Sequence, residues 1–72
     1  MDNNDFLITL GFRIKKIRTE KQMSQQMLAG LCNFEKTNMS RIERGKTNPT
    51  ILTLRTISEA LGVELVDLLA QP

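Results

Sequence analysis

Residues 24–45 contain two short helical patterns separated by a tight turn, and this arrangement constrains the fold more than any other feature of the sequence. Ser24 is a favourable N-cap for the first pattern, which we expect to end at about Cys32. Asn33 follows directly, and asparagine tolerates the left-handed backbone conformation that such a turn requires. The second pattern covers about residues 36–44. The segment therefore predicts two helices that pack at an angle across a short connection.

A longer helix is predicted to precede this segment, over about residues 5–21. Its apolar residues recur at three- and four-residue spacing, which is typical of a helix with one buried face. These residues are Leu7, Leu10, Ile14 and Ile17. Asn4 or Asp5 is expected to cap the helix, because either side chain can accept a hydrogen bond from the first turn.

Two more helices are predicted after Gly45, which we expect to end helix 3. Helix 4 follows the N-cap Thr50 and ends at Gly62, and a short helix 5 comes next. The expected inward-facing residues are Ile51, Leu54, Ile57 and Leu61 of helix 4, with Val63, Leu65, Leu68 and Leu69 in or just before helix 5. No strand-like alternation is present, so the sequence predicts an all-α fold of five helices in one compact domain over residues 1–72.

Helices 2 and 3 are expected to contribute their inner sides to the core. The residues concerned are Leu28, Leu31, Cys32, Phe34, Met39 and Ile42. Cys32 is the only cysteine, so it cannot form an internal disulfide. Its place on the inner side of helix 2 predicts a buried apolar residue rather than a nucleophile.

The outer side of helix 3 is polar and basic when residues are placed at about 100° intervals around the helix. It carries Lys36, Thr37, Ser40, Arg41 and Arg44. Lysine and arginine can donate two hydrogen bonds to guanine, and threonine can contact the thymine methyl group. The second helix of a DNA-binding helix-turn-helix enters the major groove and reads base edges near its N-terminus. We therefore predict that Lys36, Thr37, Ser40 and Arg41 read bases, although a merely solvated helix face would show the same pattern.

Phosphate contacts are predicted at both ends of the helix 2–helix 3 unit. Gln25 and Gln26 open helix 2, where free backbone N–H groups favour an anion. Arg44 closes helix 3, and the loop that follows offers three further donors, which are Lys46, Thr47 and Asn48. Arg13 and Lys16 on helix 1 are weaker candidates.

The charge distribution is uneven along the chain. Residues 13–46 hold nine of the ten bases and three of the eight acids, a balance of +6, whereas the flanking segments carry −2 each. Positive charge concentrated in one part of the fold suits a polyanionic partner. A solvated basic surface would produce the same distribution.

Other function classes lack support in the sequence. The chain has no histidine, no glycine-rich phosphate loop and no paired metal-ligand spacing, so we expect neither enzymatic activity, nor a metal, nor a cofactor. No apolar run approaches the length of about 18 residues that spans a membrane, and the first residues are polar and acidic. A cytoplasmic protein with no membrane partner and no small-molecule ligand is therefore expected.

The combined motifs resemble the Cro/repressor-type helix-turn-helix family, also described as lambda-repressor-like or Xre-type regulators. The resemblance covers about residues 10–69. It rests on Ile14-Lys15-Lys16-Ile17-Arg18, Met23-Ser24-Gln25, Leu28-Ala29, Ser40-Arg41-Ile42-Glu43-Arg44-Gly45-Lys46, Asn48-Pro49-Thr50, Leu54 and Ala60-Leu61-Gly62-Val63. The family implies a five-helix DNA-binding domain, with the helix-turn-helix formed by helices 2 and 3, that binds palindromic operators as a dimer.

The resemblance also implies roles for individual residues. The glutamine with which the family binds phosphate corresponds to Gln25, and its base-contacting positions correspond to Lys36, Thr37 and Arg41. Its arginine–glutamate pair, which ties helix 1 to helix 3, corresponds to Arg18 and Glu43. Three positions depart from the family pattern. Asn33 stands where the turn commonly has glycine, Glu35 stands where a serine or threonine commonly caps helix 3, and Met27 stands where glutamate is common in helix 2.

Two functions remain open from the sequence. The first is a sequence-specific regulator of transcription that binds double-stranded DNA as a homodimer, whether as a restriction–modification controller, a phage repressor or an antitoxin-like autoregulator. The second is a protein-interaction module, antitoxin-like or partner-binding, that keeps the fold with weak or no specific DNA binding. The predicted dimer surface is the apolar end of the chain, at Val63, Leu65, Val66 and Leu69, although packing of these residues on helix 1 explains them almost equally well.

Overall fold

The computed structural model describes residues 2–70, which form five α-helices and no strand. In chain order they are α1 (Asn3–Glu20), α2 (Gln25–Cys32), α3 (Lys36–Glu43), α4 (Ile51–Leu61) and α5 (Leu65–Leu69). The predicted all-α architecture of five helices is thereby confirmed. None of these helices is both long enough and apolar enough to cross a membrane.

Three of the helices, α1, α2 and α4, begin at side chains that accept hydrogen bonds from the first turn, as capping requires. Ser24 accepts from the backbone N–H of Met27 at 3.0 Å, and Thr50 caps α4 in the same way. For α1 the predicted caps are wrong, because the helix begins earlier and Asp2 accepts from the backbone N–H of Asp5 at 2.8 Å. The side chain of Glu35 makes no such bond at the start of α3.

Left-handed residues end α2 and α4, as the sequence predicts. Asn33 has φ 59° after α2, and its neighbour Phe34 donates from the backbone to the Ala29 carbonyl at 2.8 Å. Gly62 has φ 72° after α4. These two turns reverse the chain within a few residues, which brings α3 back onto α2 and α5 back onto α4.

All five helices contribute to one apolar core. Its buried members are Leu10, Ile14, Leu28, Ala29, Cys32, Met39, Ile42, Leu54, Ile57, Leu61 and Leu68. Phe34 packs against this core without being fully buried. The predicted burial of Cys32 is confirmed, and its thiol lies 3.9 Å from the Thr56 carbonyl oxygen.

Two predicted core residues are exposed instead. Leu31 is 59% exposed, because the buried face of α2 runs through Leu28, Ala29 and Cys32 and Leu31 lies just beyond its edge. Ile51 is 57% exposed at the first position of α4. Helical side chains lean toward the helix N-terminus, so a residue at this position extends past the helices that cover the rest of α4.

Candidate nucleic-acid interface

The orientation of α3 is set by its inner side. Met39, Ile42 and Glu43 are buried, and the helix packs against both α1 and α2. The opposite side is free of protein contacts that would cover it: Lys36, Thr37, Arg41 and Arg44 are exposed, and Ser40 is half-buried. The structure therefore places the predicted base-reading residues together on one accessible helix face.

The start of α2 lies beside this face. Gln25, Lys36, Thr37 and Ser40 line a common open cleft between the N-termini of α2 and α3. Free N–H groups at the beginning of a helix favour an anion, and Gln25 is the first residue of α2. A predicted phosphate-binding residue thus adjoins three predicted base-reading residues, whereas Gln26 is exposed at the next position of α2.

A buried ion pair holds α3 against α1. Arg18 donates from Nε to Glu43 Oε2 at 2.7 Å and from Nη2 to Glu43 Oε1 at 3.0 Å. Its third donor, Nη1, reaches the Met23 carbonyl oxygen at 2.8 Å, in the segment before α2. A fork of this kind satisfies both charges in the protein interior, where an unpaired charge would be costly.

Gln25 belongs to the same network. Its Nε2 donates to Glu43 Oε1 at 3.0 Å, so one carboxylate connects α1, α2 and α3. From the sequence, Gln25 is expected among the phosphate contacts and Glu43 in the ion pair, and nothing predicts the bond between them. Eighteen positions separate the two residues, and no local pattern relates a glutamine at the start of one helix to a glutamate at the end of the next.

The loop after α3 provides a second cleft. Lys46, Thr47 and Asn48 line it together with the first turns of α1, at Asn4, Leu7 and Ile8. Gly45 permits this approach, because it has φ 71° and a Cβ there would lie 2.7 Å from the Ile8 Cα. The three predicted phosphate donors of the loop are therefore adjacent to α1, a proximity that no sequence pattern indicates.

Arg13 is directed to another part of the molecule. Its Nε donates to the backbone carbonyl of Asp67 in α5, so Arg13 links α1 to α5. This bond gives Arg13, a weaker candidate for the phosphate contacts, a partner within the protein. Lys16 is exposed on α1.

The electrostatics of the outer face of α3 follow from these contacts. Because Glu43 is buried and paired with Arg18, it contributes no free negative charge beside Arg41 and Arg44. Lys36 adds a third exposed positive charge, with Glu35 as an exposed acid just before it. The face therefore offers three cationic donors to a polyanion.

The residues of the predicted dimer surface differ in their exposure. Val63, Leu65 and Leu69 are half-buried and pack against the core, and Leu68 is fully buried. Val66 is 66% exposed. Packing within the chain thus accounts for part of the apolar character of α5, and Val66 is its main outward-facing apolar residue.

Known proteins match both the sequence and the fold. The helix-turn-helix family model HTH_3 matches residues 14–68. The control protein C.MunI of a Mycoplasma species is 39% identical over 66 residues, which cover 90% of this chain and 89% of C.MunI. The chain covers a smaller share, 40%, of a phage immunity repressor that it also matches.

Two solved structures extend the comparison. The restriction-modification controller protein C.AhdI from Aeromonas hydrophila superposes with a TM-score of 0.84 and 31% identity, covering 86% of this chain and 94% of that one. SinR, a master regulator for biofilm formation determined in complex with DNA, gives a TM-score of 0.79 and 40% identity over 85% of this chain and 98% of SinR. The chain thus belongs to the HTH_3 helix-turn-helix family and is a DNA-binding regulator of transcription.

Proposed function

We propose that the chain acts as a homodimer that recognises a palindromic operator through the outer face of α3. The observation that carries this proposal is the position of Lys36, Thr37 and Arg41, which are exposed together on a helix whose opposite side is fixed in the core. Only a rigidly held helix can present the same donors to the same base edges at every encounter.

Different residues have different tasks in this proposal. Lys36, Thr37, Ser40 and Arg41 contact base edges in the major groove, where arginine and lysine discriminate guanine from the other bases. The phosphate contacts are assigned to Gln25, Gln26, Arg44, Lys46, Thr47 and Asn48, which flank that face in sequence. Contacts to the phosphates set the register of α3 on the duplex and supply affinity for any sequence.

The homodimer is inferred from the apolar surface that α4 and α5 leave uncovered. Val66 of α5 is exposed, and so are Ile51 and Leu52 at the start of α4. A second copy that covers these residues would bury apolar area. Binding of both copies to adjacent half-sites requires the two α3 helices to lie about one helical turn apart on DNA. A dimer with twofold symmetry would read an inverted repeat.

We infer the biological role from relatives that this chain matches over most of their own length. C.MunI is a control protein and C.AhdI a restriction-modification controller, and we infer a controller of the same type here. The activity is binding to cytoplasmic DNA, with neither catalysis nor a small-molecule ligand. The DNA upstream of the chain's own gene is then the first operator to test.

The decisive experiment is selection of duplexes from a random pool, followed by fluorescence anisotropy titration of the enriched sequence and of a scrambled duplex. We expect an inverted repeat and a preference of about a thousandfold or more at physiological salt. Enrichment of no sequence would contradict sequence-specific recognition and would favour a protein-interaction module of the same fold. Enrichment of a single half-site by a monomer would contradict only the dimer.

A further inference from the structure

The carboxylate of Glu43 joins the buried ion pair to the exposed cleft. Its side chain is 2% exposed, and it accepts from two donors of Arg18 and from Gln25 Nε2. Gln25 is only half-buried and lines the cleft with Lys36 and Thr37. Glu43 therefore contacts a proposed DNA-binding side chain from below without reaching the surface itself.

The chemistry of this contact fixes the orientation of the Gln25 amide. A carboxylate paired with arginine can only accept hydrogen bonds, so the amide atom at 3.0 Å is the nitrogen and not the oxygen. The amide group is planar, and its carbonyl oxygen and second N–H therefore lie on the sides away from Glu43. Of the two possible orientations of the amide, only one fits the charge beneath it.

We propose that Glu43 is a positioning residue for DNA binding, which orders the side chain of Gln25 before the duplex arrives. This inference depends on the proposed contact between Gln25 and DNA. A free glutamine side chain loses rotamer freedom when it binds, whereas a side chain already held in place loses much less. Glu43 thus strengthens DNA binding through Gln25, in addition to holding α3 against α1 through Arg18.

A purely structural Glu43 would behave differently in a double-mutant cycle. If Glu43 served only the ion pair with Arg18, its replacement would weaken DNA binding by the same factor whether or not Gln25 were present. If it acts through Gln25, the effect of replacing it depends on that side chain, because residues that act through one another are not additive.

The cycle consists of the full chain, Glu43→Gln, Gln25→Ala and the double variant, titrated by anisotropy with the duplex enriched by the full chain. All four are measured at a temperature at which circular dichroism shows each of them folded. Glu43→Gln is expected to weaken binding in both backgrounds through Arg18, but by a factor at least about threefold larger when Gln25 is present than in the Gln25→Ala background. Equal factors in both backgrounds would overturn the positioning role and leave DNA binding intact, whereas failure of the full chain to enrich any duplex would overturn the proposed function instead.

Nuclear magnetic resonance tests the same contact without a substitution, in case Glu43→Gln does not fold. In the ¹⁵N-labelled full chain, one side-chain amide proton of Gln25 should be shifted downfield and should exchange slowly with water, both free and bound to the enriched duplex. The exposed side chains of Gln22 and Gln26 are internal controls. A Gln25 amide that exchanges as fast as these two would overturn the proposal.

Discussion

Gly11 lies directly against the backbone carbonyl of Ile42, so that α1 and α3 touch without an intervening side chain. A Cβ at Gly11 would overlap the Ile42 carbonyl oxygen and would lie 2.7 Å from the Glu43 carbonyl carbon. Both obstacles are backbone atoms, which cannot rotate away as a flexible side chain can. This contact brings the two helices close enough for Arg18 of α1 to reach Glu43 of α3.

Gly11→Ala is therefore expected to destabilise the fold, although alanine is the better helix former. Relieving the overlap requires α1 and α3 to separate, and overpacking of this kind costs about 1–3 kcal/mol in the free energy of unfolding. Urea denaturation followed by circular dichroism measures the loss. Gly30→Ala is the matched control, because nothing lies within 4 Å of its Cβ position in α2. That control should gain about 0.5–1 kcal/mol, and a Gly11→Ala variant that gained as much would contradict the close contact.

Arg41→Ala should reduce discrimination between the operator and other DNA. A good bidentate contact with guanine contributes about 1–3 kcal/mol of preference, which disappears with the guanidinium group. Anisotropy titrations with the enriched and scrambled duplexes measure the ratio of the two dissociation constants. Lys15→Ala removes an exposed base from α1 and should leave that ratio unchanged. If Arg41→Ala weakens the affinity for both duplexes by the same factor, Arg41 belongs to the phosphate contacts instead.

Lys46→Ala should weaken binding to every duplex by a similar factor. Loss of one phosphate contact releases one counterion fewer, so the slope of log K against log salt should become shallower by about one unit. Titrations at several salt concentrations give the slope. Arg55→Ala is the control, since Arg55 is exposed on α4 and pairs with Glu59 at 3.7 Å. An unchanged slope for Lys46→Ala would remove Lys46 from the interface.

The thiol of Cys32 should make the fold sensitive to alkaline pH. Burial raises the pKa of the Cys32 thiol above its ordinary value, because the charged thiolate is poorly solvated in the core. Above that value the unfolded chain loses the thiol proton while the folded chain keeps it. The protonated thiol therefore makes its full contribution to the free energy of unfolding below the pKa of the unfolded chain. This contribution is lost as the pH rises through the higher pKa of the folded chain.

Urea unfolding of the wild type and of Cys32→Ala, from neutral pH to about pH 10, tests this effect. The variant should be less stable at neutral pH because it leaves a small cavity, but its stability should decline less steeply above the usual thiol pKa. Lysine titration affects both proteins and cancels in the comparison. Parallel profiles would show that Cys32 does not titrate differently in the folded chain.

Val66→Lys should dissociate the proposed homodimer while leaving the monomer folded. Val66 is 66% exposed, so a lysine there causes no loss of core packing but places a charge in an apolar interface. Sedimentation velocity should show a shift toward the monomer, and DNA binding should lose cooperativity. Phe12→Lys is the control, because Phe12 is 65% exposed on α1, outside the proposed interface. Dissociation by Phe12→Lys alone would place the interface on α1.

The helices themselves could be predicted because their signals are local. The caps Ser24 and Thr50 and the left-handed positions Asn33 and Gly62 act within four residues of the helix ends that they define. The local pattern predicts burial wrongly at Leu31. This residue continues the apolar pattern of α2 but lies just outside the surface that the neighbouring helices cover. The width of a buried face depends on the helices packed against it. It therefore cannot be predicted from the sequence of a single helix.

The amino-acid sequence alone specified the five helices and the outer face of α3, because caps, turn residues and helical periodicity relate residues only a few positions apart. The resemblance to a family came from the residue identities of its motifs. Apart from the Arg18–Glu43 pair that the resemblance implies, the contacts between helices became evident only in the folded chain. There Gln25 joins Glu43, Arg13 reaches α5 and Gly11 lies against Ile42. These contacts connect residues 18 to 54 positions apart, and their geometry exists only when the core has fixed the distances and angles between the helices.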